Sequence, residues 1–199
     1  MSQPIILASG SVIRRKLLEN AGVAFDVQKP RVDEVALKAA MRTDQAKPRD
    51  IADALAEAKA RRISAKMPHA LVIGCDQVLQ LGDDILSKPD TMETAKDQLL
   101  ALRGRQHTLL SAVVIYDDAA PVWRHVGQVR LHMRDFSDSF LDEYLDRNWP
   151  AVQSSVGAYQ IEGEGIRLFS KIEGDYFTVL GLPLLEVVMY LTQRGDLKA

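Results

Sequence analysis

Three groups of residues along the chain carry side chains that could act on a phosphate. The first is Ser9-Gly10-Ser11, followed by Arg14 and Arg15. Two hydroxyl donors flank a glycine that lets the backbone approach a ligand, and cations follow in the first turn of a helix. A cation there opposes the helix dipole unless it meets an anion, and phosphate fits best. The second is Asp76, reached through the apolar run Ala70-Leu71-Val72-Ile73 and then Gly74-Cys75. A carboxylate at the end of a buried strand is costly unless it is paired, hydrogen-bonded or bound to metal, so Asp76 is the first candidate for catalysis. The third group is scattered: the carboxylates Asp33 and Glu34, Lys59 among alanines, and Lys88 between Ser87 and Pro89, where the proline biases it to an extended backbone.

Each group also has a plainer reading. The Ser/Gly turn equally suits an ordinary capped helix with solvated arginines. Asp76 could accept backbone bonds in a tight turn. Asp33 and Glu34 suit a solvated loop after a strand, and Lys59 suits an open helix face with its stem lying along Ala56 and Ala60. Cys75 reads as packing, with no histidine near it in sequence. His107, His125 and His132 show no metal-ligand spacing and read as strand residues.

The elements that must position these residues alternate between strand and helix. Ile5-Leu7 starts a buried strand, and Ile13, Leu17 and Leu18 set a helical period that Gly22 stops. Val23–Val27 alternates as a half-buried strand. Ile51, Leu55, Ala58 and Ile63 define a helix from about Arg49 to Ser64. After the strand that carries Asp76, Gly82-Asp83-Asp84 turns into a short strand at Ile85-Leu86. Asp90 and Glu93 read as a capping box opening a helix that ends at Gly104. Leu109–Tyr116 and Val122–Met133 read as two strands, and Ser137 begins a helix closing before Trp149-Pro150. A Gly-rich segment leads to a strand at Ile166–Phe169, and Leu182–Leu191 forms the last helix, with Pro183 in its first turn.

The composition sets bounds on this scheme. A chain of 199 residues with 47% hydrophobic and 26% charged residues can bury one globular core. The net charge of -2 gathers neither nucleic acid polymers nor an acidic membrane, so any anion site is local. The single cysteine excludes an internal disulfide and suits a reducing cytoplasm. No signal-like start and no apolar run long enough for a membrane span are present, so a cytoplasmic protein is expected. A P-loop kinase or NTPase is excluded because no G-x-x-x-x-G-K-[ST] occurs, and no G-x-G-x-x-G marks a dinucleotide site.

Taken together, the motifs resemble those of the Maf proteins, nucleoside triphosphate pyrophosphatases related in fold to inosine-triphosphate pyrophosphatases. The resemblance covers nearly the whole chain. It rests on LASGSVIRRKLL at 7–18, VDE at 32–34, LAEAKA at 55–60, IGCDQV at 73–78, SKP at 87–89, GR at 104–105, GAYQIEGEGIRLF at 157–169 and IEGDYFTVLGLPL at 172–184. Blocks in this order are far more specific than any one of them. The resemblance implies an elongated single α/β domain over 1–199, a mixed sheet flanked by helices, with two lobes around one central cleft. It further implies hydrolysis of a nucleoside triphosphate to a monophosphate and pyrophosphate with a divalent cation, Mg²⁺ or Mn²⁺, and it allows a homodimer.

By the same resemblance Ser9, Gly10, Ser11 and Arg14 hold the triphosphate. Asp76 prepares water for attack, Glu34 and Asp76 are the metal candidates, and Lys59 and Lys88 neutralise phosphate charge. Substrate choice is associated with Ile13, Gln77 and Glu162. Gln77 and Glu162 resemble the subgroup that acts on 7-methyl-GTP rather than on dTTP and UTP. The chain departs from the family at Val12-Ile13, where a proline is usual before the arginine and where the 7-methyl-GTP subgroup carries a tryptophan able to stack on a cationic base. That departure leaves the base open. A link of the family to septum formation supports the alternative of a nucleotide-binding regulator of cell division with little catalysis.

Overall fold

The computed structural model describes residues 3–198. The chain begins with β1 (Ile5–Ala8), a fully buried strand, and turns into α1 (Val12–Asn20). Ser11 caps α1 by accepting the Arg14 N–H, and Gly22, at φ +72°, turns the chain out of the helix as its composition predicts. Only Asp26–Val27 pair as β2, so the strand expected from Val23 is shorter; Val23 is instead buried in the core. Next come α2 (Glu34–Thr43) and α3 (Pro48–Ser64). Asp33 and Glu34, expected on a loop, instead open α2. Asp33 is the cap of α2, accepting the Ala36 N–H at 2.9 Å, and Glu34 is its first residue.

The largest departure is β3 (Leu71–Leu81), eleven residues long. Asp76 lies in its middle and not at its end. The end that matters belongs to the neighbour: β1 pairs with β3 in parallel only as far as Ala8 opposite Gly74. Beyond that register the neighbouring chain has left the ladder for the Ser/Gly turn. A short β4 (Asp84–Leu86) folds back antiparallel on β3. Helix α4 (Met92–Leu102) is capped by Thr91, not Asp90, because the Thr91 hydroxyl reaches the Thr94 N–H at 3.1 Å.

Strands β5 (Gln106–Asp117) and β6 (Ala120–Met133) exceed their expected lengths and are joined by Asp118-Ala119, both at positive φ, as a tight hairpin turn demands. Helix α5 (Asp138–Asn148) is capped by Ser137 as expected. The strand expected at Ile166–Phe169 is displaced: residues Glu164–Leu168 form a 3₁₀ turn and β7 spans Phe169–Glu173. Two helices close the fold, α6 (Tyr176–Val179) and α7 (Leu184–Arg194), with Pro183 at the cap of α7.

The seven strands form one mixed sheet in the order β2-β1-β3-β5-β6-β7, with β4 on β3. The α/β class and the mixed sheet with flanking helices are therefore as the sequence indicates. No helix among the described residues is long and apolar enough to cross a membrane. By contacts the chain divides into two compact units. The first comprises residues up to Gln77, then Leu110–Gly127, then Tyr176 onward; the second comprises Val78–Leu109 and Gln128–Asp175.

In the first unit, alternation along β3 sends Leu71, Ile73 and Cys75 into a core with Leu17 and Leu18 of α1 and Leu184, Val187 and Leu191 of α7. The other face packs on α3, whose Ile51, Ala52, Leu55, Ala56 and Ala60 are completely buried. In the second unit, the rings of His107, Tyr159 and Phe169 pack at tilted and edge-on angles, and the Tyr159 hydroxyl lies 2.8 Å from His107 Nε2.

Candidate active site

Gly74 decides where the lysine of α3 comes to rest. A Cβ at position 74 would lie 2.3 Å from the Ala56 carbonyl oxygen and 2.6 Å from the Ala60 nitrogen. Glycine on the strand and two alanines on the helix therefore bring the two backbones together. This close approach carries Lys59 inward. The side chain expected on an open face is buried, and its ammonium lies 2.5 Å from Asp76 Oδ1 and 2.8 Å from Glu34 Oε1. The alanines do not make a surface channel for the lysine stem; they are the contact that buries it.

Asp76 is 5% exposed, and its second oxygen, Oδ2, is buried without a hydrogen-bond partner. A buried carboxylate oxygen with no donor is expensive, so this atom is poised for a ligand that brings a proton or a positive charge. Three or more metal-binding side chains do not cluster anywhere among the described residues. A hard divalent cation that keeps its waters and shares phosphate oxygens needs only one or two carboxylates. Asp76 with its open oxygen and Glu34 at the same lysine form a donor set that suits such an ion.

On the other face, Arg14 is buried and tethered. Its Nε donates to the Gly181 carbonyl at 2.7 Å and its Nη1 to the Cys75 carbonyl at 3.0 Å, with Ser9 Oγ at 3.5 Å. The Cys75 carbonyl is thus taken one residue beyond the point where β1 leaves β3. The hydrogen bonds of Arg14 to the described residues run through Nε and Nη1, so the guanidinium is fixed in place with Nη2 left for a ligand. Ser9 is also buried and accepts the Ser11 N–H at 3.2 Å, which tightens the turn. Lys29 lies across Gly10, its Cε 3.3 Å from where a Cβ would stand. Burial raises the Cys75 thiol to about 11, which argues against a nucleophile.

The three residues associated with substrate choice fall in different settings. Ile13 is half-buried on α1. Gln77 follows Asp76 on β3 and so faces away from Lys59; its amide nitrogen lies 3.0 Å from Ser111 Oγ, 3.2 Å from the Thr178 carbonyl and 2.9 Å from that of Val179. Glu162 belongs to the second unit and is exposed on a turn. That turn is anchored by Glu164, which accepts from Arg147 at 2.7 Å, Asn148 at 2.9 Å and Arg167 at 2.8 Å. The hydrogen bonds from Arg147 hold the Glu164 carboxyl down at about 2. Lys88 is exposed in the second unit, on the segment after β4.

Sequence reasoning brought Asp76, Glu34 and Lys59 forward separately, and the fold brings them together. It missed Gly181, whose contribution is a carbonyl and has no side-chain signature, and Ser111, one buried hydroxyl in an apolar strand. The signal that could have found the helix–strand contact was the coincidence of Gly74 with two alanines four apart on α3.

Comparison with known proteins identifies the class to which this arrangement belongs. Residues 4–194 match the family model described as Maf-like protein, and the chain belongs to that family. A nucleoside triphosphate pyrophosphatase of Roseobacter denitrificans is 59% identical over 197 residues, covering 99% of each chain. One of Ruegeria pomeroyi is 58% identical over 195 residues, 98% of each. A 7-methyl-GTP pyrophosphatase of Mesorhizobium japonicum is 49% identical over 195 residues, again 98% of each. The resemblance drawn from the ordered motifs is thereby borne out at the level of the family.

Proposed function

We propose that the chain hydrolyses a nucleoside triphosphate between its α- and β-phosphates, releasing a monophosphate and pyrophosphate. The observation that carries this reading is the Lys59 ammonium held between Glu34 and Asp76 while Asp76 Oδ2 stays buried and unpaired. The names of the relatives, nucleoside triphosphate pyrophosphatase and 7-methyl-GTP pyrophosphatase, support it independently.

In this reading the Ser9-Gly10-Ser11 turn supplies hydroxyl and backbone donors to the phosphates, and Arg14 offers Nη2. A water aligned on the α-phosphorus loses its proton to Asp76 Oδ2 as its oxygen bonds to phosphorus. The bond to the α–β bridging oxygen breaks, and pyrophosphate leaves with the bonding pair. Glu34, with Asp76, would hold Mg²⁺ or Mn²⁺, and the bound ion would supply positive charge to the phosphoryl oxygens. Lys59 keeps the two carboxylates together against their repulsion and, with Lys88, offsets phosphate charge. Phosphoryl transfer needs mainly positioning and charge stabilisation, which this set provides. We further propose that the Glu162 carboxylate favours a 7-methyl-GTP-like base by complementing its cationic ring.

The test is pyrophosphate release from dTTP, UTP, CTP, GTP, ITP and 7-methyl-GTP, with Mg²⁺ or Mn²⁺ and with a chelator. Turnover that the chelator abolishes, greatest on 7-methyl-GTP, is expected. Asp76→Asn should cut kcat by at least ~10²-fold, the scale of losing one group that acts in the transition state. Near-normal turnover in that variant would remove Asp76 as the proton acceptor. A preference for dTTP and UTP would overturn the base assignment and leave the chemistry standing.

A further inference from the structure

We infer that Ser111 and Gln77 are positioning residues for Arg14, acting through the main chain of residues 178–181. The inference rests on the pyrophosphatase reading for the identity of the anion that Arg14 meets.

The first support is the direction in which Gln77 points. Neighbouring residues on a strand face opposite sides, and Asp76 faces α3, so Gln77 faces the side covered by Thr178 and Val179. Two carbonyl oxygens can be met only by the NH₂ end of an amide, so chemistry dictates the orientation of this side chain. Its donors are committed to Thr178, Val179 and Ser111. Ser111 is completely buried and donates its own proton to the Thr178 carbonyl at 2.7 Å. One hydroxyl and one amide thus pin two successive peptide groups.

The second support is what that pinned chain does next. The Gly181 N–H closes back on the Thr178 carbonyl at 3.1 Å, and the Leu180 N–H reaches Tyr176 at 3.2 Å, so the segment is one hydrogen-bonded turn. The Gly181 carbonyl then accepts Arg14 Nε at 2.7 Å. At φ +94° this residue favours glycine, and a Cβ would stand 3.2 Å from both Nε and Nη2. From the far side Gly127 holds the turn closely, since a Cβ there would lie 2.8 Å from Thr178 Oγ1. The turn has little slack, and a displacement at Thr178 reaches the guanidinium. The dependence runs from Ser111 and Gln77 to Thr178 and Val179, from there to Gly181, and finally to Arg14.

The test uses the full chain as wild type, Ser111→Ala, Gln77→Leu, Arg14→Lys and Ser111→Ala combined with Arg14→Lys. Each is assayed for KM and kcat on the nucleotide panel, and for inhibition by inorganic tripolyphosphate, which carries no base. Ser111→Ala should raise KM roughly 3–10-fold, the scale of a lost hydrogen bond or two, by the same factor for every nucleotide and for tripolyphosphate inhibition, and Gln77→Leu should weaken tripolyphosphate inhibition by a similar factor. In the Arg14→Lys background, Ser111→Ala should add less than about twofold, because residues acting through one another are not additive. Base-dependent changes at Ser111, unchanged tripolyphosphate inhibition in Gln77→Leu, or full additivity with Arg14→Lys, would overturn the inference. Where Arg14→Lys does not fold, the comparison of nucleotides with tripolyphosphate decides alone. Wild-type protein that releases no pyrophosphate from any nucleotide would instead refute the proposed function, and calorimetric binding of tripolyphosphate to the same variants would still test the positioning chain.

Discussion

Lys59 shows how far a side chain's meaning depends on its burial. On a helix of alternating alanines it has the local signature of a solvated residue, yet it sits between two carboxylates at 2.5 Å and 2.8 Å. Taking a lysine out of water is compensated only by good partners, and removing it leaves Asp76 buried without an opposite charge. Lys59→Met should therefore lower stability by about 3 kcal/mol, the range seen when one member of a buried pair is lost. Thermal unfolding would register this as a lowered Tm, and pyrophosphate release should fall in parallel. Unchanged Tm would mean that the ammonium is as well solvated as the helix pattern suggests. Asp76 itself was legible from its place after a buried apolar run. Arg14 was legible as a cation near a turn, but its two main-chain acceptors, Cys75 and Gly181, were not.

At the scale of elements the decisive contact is α3 on β3. The helix was readable from its apolar period and the strand from its apolar run. Their separation was set by the absence of a Cβ at Gly74. Gly74→Ala places a methyl within 2.3 Å of a backbone oxygen that no rotamer can relieve, so α3 must shift. Overpacking of this kind costs about 1–3 kcal/mol. Because the shift moves Lys59 away from Asp76, kcat should fall more than the modest loss of stability explains. Retained kcat with a lowered Tm would show that the helix relaxes without disturbing the pair. The strand-end expectation for Asp76 was right about an opening and wrong about its cause. β3 continues to Leu81, and the ladder opens because β1 stops at Ala8. The sequence of β3 carries no mark of where its neighbour ends. The Ile166–Phe169 strand failed for a related reason: Gly165 turns back so tightly that a Cβ would meet the Gln160 carbonyl at 2.5 Å, and the chain spends one 3₁₀ turn before it can pair.

At the scale of the whole molecule, acid stability has an identifiable source in the second unit. His107 is buried, its Nδ1 has no partner, and burial pushes its ring down to about 4 from 6.5. Between those two values the unfolded chain binds a proton that the folded chain refuses, so stability falls as pH drops from about 6.5 to about 4. The contribution is fully present above the unfolded value, and its loss across the window amounts to about 3 kcal/mol. Urea unfolding at pH 7 and pH 4.5 should show this decline, and His107→Phe, which keeps a ring beside Tyr159 and Phe169, should flatten it. An equally steep decline in His107→Phe would assign acid sensitivity to the carboxylates.

The sequence alone determined the order of strands and helices apart from α2 and α6, the strand–turn–helix at Ser9–Arg14, the helix start at Ser137, and the family to which the motifs belong. These depend on residues adjacent along the chain, through backbone hydrogen bonding, φ preferences and the periods of two and 3.6 residues. Only the tertiary structure decided that Lys59 pairs with Glu34 and Asp76, that Gln77 turns from Asp76 toward Ser111 and Val179, and that Gly181 lends its carbonyl to Arg14. Such contacts join residues up to 167 positions apart, and they follow from how closely two backbones can approach. That distance is set jointly by glycines and alanines on different elements, which no single stretch of sequence records.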